Sequence, residues 1–288
     1  MKTITRVYLT LLCGAVAACG GGNDSSQNSK PVALTGWYNC GTSYADSAGN
    51  PTIALFTVSG KMFGTCGGYS TFTAQYSALL PDISLDPNYI TATLTNFWFY
   101  DTVTNQRAVN VAGKSIPADA YTGTGSASAS LVDINFTETG PASKAGSIDR
   151  FVIPTKLTFG QLGSSAPPVR PASIAGFAGH LGQVLNIPVS VSGNLTTYAW
   201  TPQVDFTIDS QGNISASIAS GTLTAATKSY DPSTGVAEFT GTFTGASGAV
   251  AVSGAFAYFP TPTLAGYPIA MYIAGPTFEY TYRLNVRS

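Results

Sequence analysis

The chain has 288 residues, a formal net charge of −1 at pH 7 and 9% charged residues, against about 25% in ordinary globular proteins. Its 13 basic residues form no cluster, which excludes a nucleic-acid surface, and 44% hydrophobic residues exclude disorder through most of the chain. Gly, Ser, Thr, Ala and Tyr fill the vacated positions, giving a surface solvated by hydroxyls and amides, as in many all-β proteins.

Lys2 and Arg6 precede an apolar run of 12 residues from Val7 to Ala18, too short to span a bilayer, which takes about 20. A basic start, a short apolar stretch and small residues before a cut site make a secretory signal peptide. Val16-Ala17-Ala18-Cys19 resembles the lipobox of bacterial lipoproteins. That resemblance implies cleavage before Cys19, with palmitate-type acylation of the cysteine and membrane attachment through its acyl chains. Ala17-Ala18 also suits ordinary secretion, the rival reading. Gly20 rather than aspartate after the cysteine implies, by the same resemblance, the outer membrane. Loss of residues 1–18 leaves 11 basic against 14 acidic residues, a formal charge of −3. Residues 19–33 are glycine-rich and polar without apolar periodicity, and are expected to form a disordered, flexible tether.

Beyond Cys13 and Cys19, two cysteines remain, Cys40 and Cys66. In an exported chain an even pair points to a disulfide, with two buried thiols or a metal site as alternatives. A bridge over about 25 residues would stabilise the fold by about 3 kcal/mol in the chain-entropy view. No metal is expected, because the only histidine, His180, lies far along the chain and a site needs more ligands than the pair supplies.

From Trp37 onward period-two patterns recur. Val132, Ile134 and Phe136 alternate with Asp133, Asn135 and Thr137, the mark of a half-buried strand. Tyr89 to Leu94 behaves likewise, and Phe97-Trp98-Phe99-Tyr100 is aromatic on both faces, as in a strand covered on both sides. Gly163 to Pro171, with three prolines in its last five residues, reads as a linker. The expected organisation is an N-terminal β-rich domain over 34–162, a Pro-rich linker over 163–172 and a C-terminal domain over 173–288; a long loop inside one domain is the alternative. Few contacts are expected to cross that linker, and residues 172–288 are expected to fold alone.

The C-terminal region is the clearest. Val204, Phe206 and Ile208 alternate with Asp205, Thr207 and Asp209 before a turn at Ser210 to Asn213. Further hairpin loops fall at Asp231 to Gly235 and Gly245 to Gly248, and Phe278, Tyr280, Tyr282, Leu284 and Val286 line a closing strand. Successive hairpins make an antiparallel meander, which removes its edges by closing into a small β-barrel or folding into a sandwich. The fold class is therefore all-β. Ser220 to Ala225, Phe239-Thr240-Gly241-Thr242-Phe243-Thr244-Gly245 and Val252-Ser253-Gly254-Ala255-Phe256 resemble the C-terminal barrel of surface lipoproteins similar to transferrin-binding protein B and factor H-binding protein. The resemblance implies an eight-stranded barrel on a lipid-anchored protein that binds a macromolecule or haem, and carries over no catalytic residue.

Catalytic constellations are missing. No Gly-x-Ser-x-Gly elbow accompanies His180, which reads as a satisfied loop residue rather than a triad base. Asp205 and Asp209, four apart on the outer face of one strand, would lie about 13 Å apart, too far for a glycosidase pair. Asp209 to Asn213 lacks the oxygen ligands of a calcium loop and reads as a turn. The expectation is a lipid-anchored binding or adhesion module with no enzymatic activity and no cofactor. Its partners would be the membrane, through Cys19, and a host or envelope macromolecule. A structural or accessory envelope lipoprotein is the alternative, and an enzyme on a β scaffold the third.

Overall fold

The computed structural model describes residues 30–31, 34–40, 53–65, 71–80, 89–100, 119–127, 132–138, 156–161, 169–192, 195–200, 204–218, 220–259 and 268–287. These residues are all-β, with one short 3-10 turn and no α-helix among them. The first sheet holds β1 (Lys30–Pro31), β2 (Gly36–Cys40), β3 (Ile53–Phe56), β4 (Lys61–Thr65), β5 (Thr71–Leu80), β6 (Tyr89–Tyr100), β7 (Asp119–Ala127), β8 (Val132–Glu138) and β9 (Lys156–Gln161). The second holds β10 (Gly179–Ser192), β11 (Leu195–Trp200), β12 (Val204–Ile208), β13 (Asn213–Ile218), β14 (Gly221–Asp231), β15 (Val236–Gly245), β16 (Gly248–Tyr258), β17 (Ile269–Ala274) and β18 (Glu279–Val286).

Each sheet closes on itself. In the first the order runs β5-β4-β3-β2-β9-β8-β7-β6, and β6 pairs again with β5. In the second it runs β10-β12-β13-β14-β15-β16-β17-β18, and β18 returns to β10. Both are antiparallel rings of eight strands, and β1 and β11 attach outside the rings. The return of β18 to β10 decides the C-terminal region as a barrel rather than a sandwich. A closed sheet leaves no unpaired edge in the ring.

Alternation and turn chemistry explain the second barrel locally. Inward residues Val204, Phe206 and Ile208, then Ile214, Ala216 and Ile218, are buried while their neighbours face outward. The turn after β12 is fixed by Asp209, whose carboxylate accepts from Gln211 N at 2.8 Å and Asn213 N at 2.9 Å; Gly212 takes φ +80° there, a value that favours glycine. The glycine-and-aromatic spacing has a packing cause: Phe239 lies opposite Gly254, where a Cβ would come within 2.2 Å of the Phe239 ring. Inside a narrow barrel a ring can cross the facing strand only where that strand has no side chain.

Closure and plugging come from residues distant in sequence. Arg287 crosses outside β10, donating to Val204 O at 2.7 Å and lying 3.6 Å from Asp205. It passes over Gly182, where a Cβ would meet the guanidinium at 2.4 Å. At one end of the barrel the 3-10 turn Ile174–Phe177 inserts Phe177, which stacks on Tyr258 at 4.8 Å and meets Phe256 edge-on at 5.0 Å. Tyr258 donates to Gly176 O at 2.8 Å, Tyr230 to Pro171 O, and Arg170 to Ser233 O at 2.9 Å.

Several expectations change. The last residues of the proline-rich segment, expected to be a spacer, are tied to the second barrel by those bonds. The expected tether over 19–33 stops short of its end, because Lys30 and Pro31 pair with Leu80 and Leu79. Every strand up to Gln161 belongs to the first sheet and every strand from Gly179 to the second, yet the two barrels share a core. Trp37, Ile53, Leu55 and Phe63 pack with Val236, Ala255, Ala257, Phe259, Ala270 and Tyr272 in one buried cluster. The expectation of few crossing contacts is thereby corrected, and a fragment starting at residue 172 would expose that side of the cluster. The inner face also ends at Leu284, since Val286 is 47% exposed.

Candidate functional site

Of the residues singled out from sequence, Cys19 and Cys66 lie outside the described residues. Cys40 ends β2 with its backbone opposite Phe159 of β9. In register, the ends of β2 and β4 that lead to the two cysteines both flank the start of β3: Asn39 lies opposite Ile53, and Gly64 opposite Ala54. His180 is not in a loop but in β10, paired with Thr207, whose hydroxyl lies 3.1 Å from its Nδ1. Its carbonyl accepts from Arg287 N at 2.8 Å. The imidazole thus has a threonine hydroxyl at its Nδ1.

The two aspartates do not share a strand face. Asp205 points outward from β12 towards Arg287, while Asp209 lies past the strand end and folds onto its own turn, where Asn213 Nδ2 donates to it at 2.8 Å. That amide, with the backbone donors around it, holds the Asp209 carboxyl below the usual carboxylate range. A carboxylate that takes three hydrogen bonds from its own turn serves that turn's structure. Among the described residues no group of three His, Cys, Asp or Glu is placed to hold a metal ion.

The interior of the C-terminal barrel is filled. Phe206, Phe239, Phe243, Phe256, Met271, Phe278, Tyr282 and Leu284 belong to one buried cluster, and their rings meet at 5.2 Å for Phe206–Tyr282 and 5.3 Å for Phe243–Phe278. Burial pushes the Tyr282 hydroxyl well above its ordinary pKa. An eight-stranded barrel has an interior just wide enough for such side chains to fill.

Two outer surfaces of the same barrel differ sharply. Over β12 to β16 the wall is hydroxyl-rich: Ser215, Thr224 and Thr242 stand in one cross-strand row, and Ser217, Thr222 and Thr244 in the next, all exposed. At the start of β15, the end of β16 and on β17 the outer face is covered by the first barrel. Ala255 and Ala257 on β16 and Ala270 on β17 form a floor of small residues, and across it Trp37, Leu55 and Phe63 stand in one cross-strand row of β2, β3 and β4. Small residues on one sheet let a second approach closely enough for large side chains to fill the gap.

Polar groups fix that contact. Lys61 Nζ lies 3.2 Å from Glu238 Oε1, whose carboxylate is buried, and the buried Tyr272 donates to Ile53 O at 2.9 Å. Burial, eased by Thr65 and reinforced by the nearby Glu279 carboxylate, drives the Tyr272 pKa far upward. Sequence reasoning passed over this surface, although a signal existed. Ile269 to Ile273 are buried on both faces, and a continuous apolar run in an antiparallel sheet marks a strand covered twice.

Comparison of the chain with protein-family models, with curated proteins and with solved structures finds no match.

Proposed function

We propose that this chain is a lipid-anchored lipoprotein of the bacterial outer membrane, a non-enzymatic binding or adhesion module held through acyl groups on Cys19. The Cys40–Cys66 disulfide belongs to the same reading, as a staple of the N-terminal barrel. The anchor rests on Val16-Ala17-Ala18-Cys19 and the basic, apolar leader ahead of it. Each buried acyl methylene contributes about 0.8 kcal/mol, so two or more chains hold a protein durably at a membrane.

The observation that carries the mode of binding is the packed interior of the C-terminal barrel, plugged by Phe177 and filled by aromatic and aliphatic side chains. With that interior occupied by the protein itself, a partner would be met on the outer wall, and a macromolecule fits this better than haem or another small ligand. The same packing favours the second reading, an accessory envelope lipoprotein that holds no small ligand.

Metabolic labelling with palmitate followed by fractionation tests the anchor. Wild-type protein should label and sediment with outer membranes, and Cys19→Ser should lose the label and accumulate with its leader uncleaved. A Cys19→Ser protein that labels and fractionates like wild type overturns the lipoprotein reading. Display of the anchored chain on cells should raise their attachment to host or envelope surfaces; equal attachment with and without it leaves the accessory reading in place.

A further inference from the structure

Strand β10 outlasts the barrel to which it belongs. Its pairings with β12 and β18 end at Leu181 and Gln183, but the strand continues to Ser192. From Val184 onward its strand partner among the described residues is β11, from Val184 opposite Trp200 to Ser192 opposite Leu195. β11 ends the sheet order and pairs with no second strand among the described residues. Among the described residues the hairpin therefore continues past the ring as a two-stranded ribbon with an outer edge on β11.

Such a ribbon is marginal in water by itself. Natural sheets guard open edges with charges, prolines or bulges. From Leu181 to Val204 the sequence has no Asp, Glu, Lys or Arg. Pro188 and both register shifts of the ribbon fall on β10, which leaves Leu195–Trp200 regular and uncharged on the other strand.

We propose that the outer edge of β11 is a self-association edge, on which a second copy of this chain pairs its own β11 antiparallel about a twofold axis. The two ribbons then form one four-stranded sheet between two molecules. A second copy is the occupant the edge selects. An antiparallel pair of identical strands is self-complementary and requires no other sequence. An edge without charge neither repels its own copy nor carries a pattern that would choose a different partner. The pairing depends on β11 and not on the membrane anchor, so it can fail while the lipoprotein reading stands, and the reverse.

The test places single cysteines along β11, Thr196→Cys, Thr197→Cys and Tyr198→Cys, in the full-length protein in its own membrane. Mild oxidation and non-reducing electrophoresis should give a species of twice the chain mass. It should be strongest at the position nearest the twofold axis and weaker on either side, and Ser217→Cys on the barrel wall should give none. Detergent-extracted wild-type protein should sediment as a dimer, and Thr197→Lys as a monomer with an unchanged β-rich circular dichroism spectrum. Thr196→Lys serves if the first lysine variant loses that spectrum. Wild type sedimenting as a monomer, a dimer that withstands the lysine, or equal cross-linking from Ser217→Cys each overturns the proposal.

Discussion

The two buried clusters of this protein are built on opposite terms. Inside the C-terminal barrel, large residues such as Phe206, Phe239, Phe243 and Phe256 meet one another, each placed inward by the two-residue period of its own strand and joined to the next by a tight turn. Between the barrels, Trp37, Leu55 and Phe63 meet Ala255, Ala257 and Ala270, large residues from one half against small ones from the other. The first core is local and self-sufficient in pattern. The second exists only when two segments about two hundred residues apart come together, as the Tyr272–Ile53 hydrogen bond shows with its separation of 219 residues. An apolar outer face on a barrel is therefore a statement about what lies across from it.

The sharpest way to break the comparison is to hollow the inner core. Phe256 is fully buried and touches Phe177 and Phe239, so Phe256→Ala should cost about 3–5 kcal/mol. Denaturant titration should record the loss as a lower midpoint. A smaller effect is expected from the other cluster, where Ala270→Leu adds volume to the alanine floor and leaves the inner face alone. Overpacking of this kind costs about 1–3 kcal/mol. Because it acts on the contact between barrels, tryptophan fluorescence from Trp37 should change before β-sheet circular dichroism does; coincident transitions would mean that the barrels unfold as one unit regardless.

The smallest effect, and the one that samples both clusters, is alkaline. Burial raises the pKa of Tyr282 in the inner core, of Tyr272 between the barrels and of Tyr258 and Tyr230 at the plug above the ordinary tyrosine value of about 10. The unfolded chain then gives up these protons more readily than the folded one. Their contribution is complete below pH 10 and is lost as pH rises from there through the folded values. Phenolate absorbance should rise in step with loss of β signal above pH 10, and a full phenolate signal with the β spectrum intact would contradict the burial of these rings.

Much of the C-terminal barrel was legible in sequence because its causes are local. Val204 to Ile208 alternates, Asp209 and Gly212 set their own turn, and Phe239 has a glycine to cross. The residues that failed to read correctly depend on distant neighbours. His180 lacks local periodicity and became a strand residue only because β12 and β18 flank it. The proline-rich end of the linker looked like a spacer, and it is held because Tyr230, Tyr258 and Ser233 happen to bond Arg170, Pro171 and Gly176. The two aspartates shared a face on paper, until the end of β12 at Ile208 put Asp209 into a turn.

By itself the sequence determined the all-β class and the hairpins from Val204 to Val286, since each follows from the period and turn residues of one short stretch. The tertiary structure alone decided that β18 returns to β10, that Arg287 crosses over Gly182, that Phe177 plugs the barrel, and that Glu238 is buried against Lys61 rather than solvated. These pairings join residues whose separations no local pattern encodes. Closing such long loops costs chain entropy, and only the apolar area buried and the polar groups satisfied across the whole fold offset that cost.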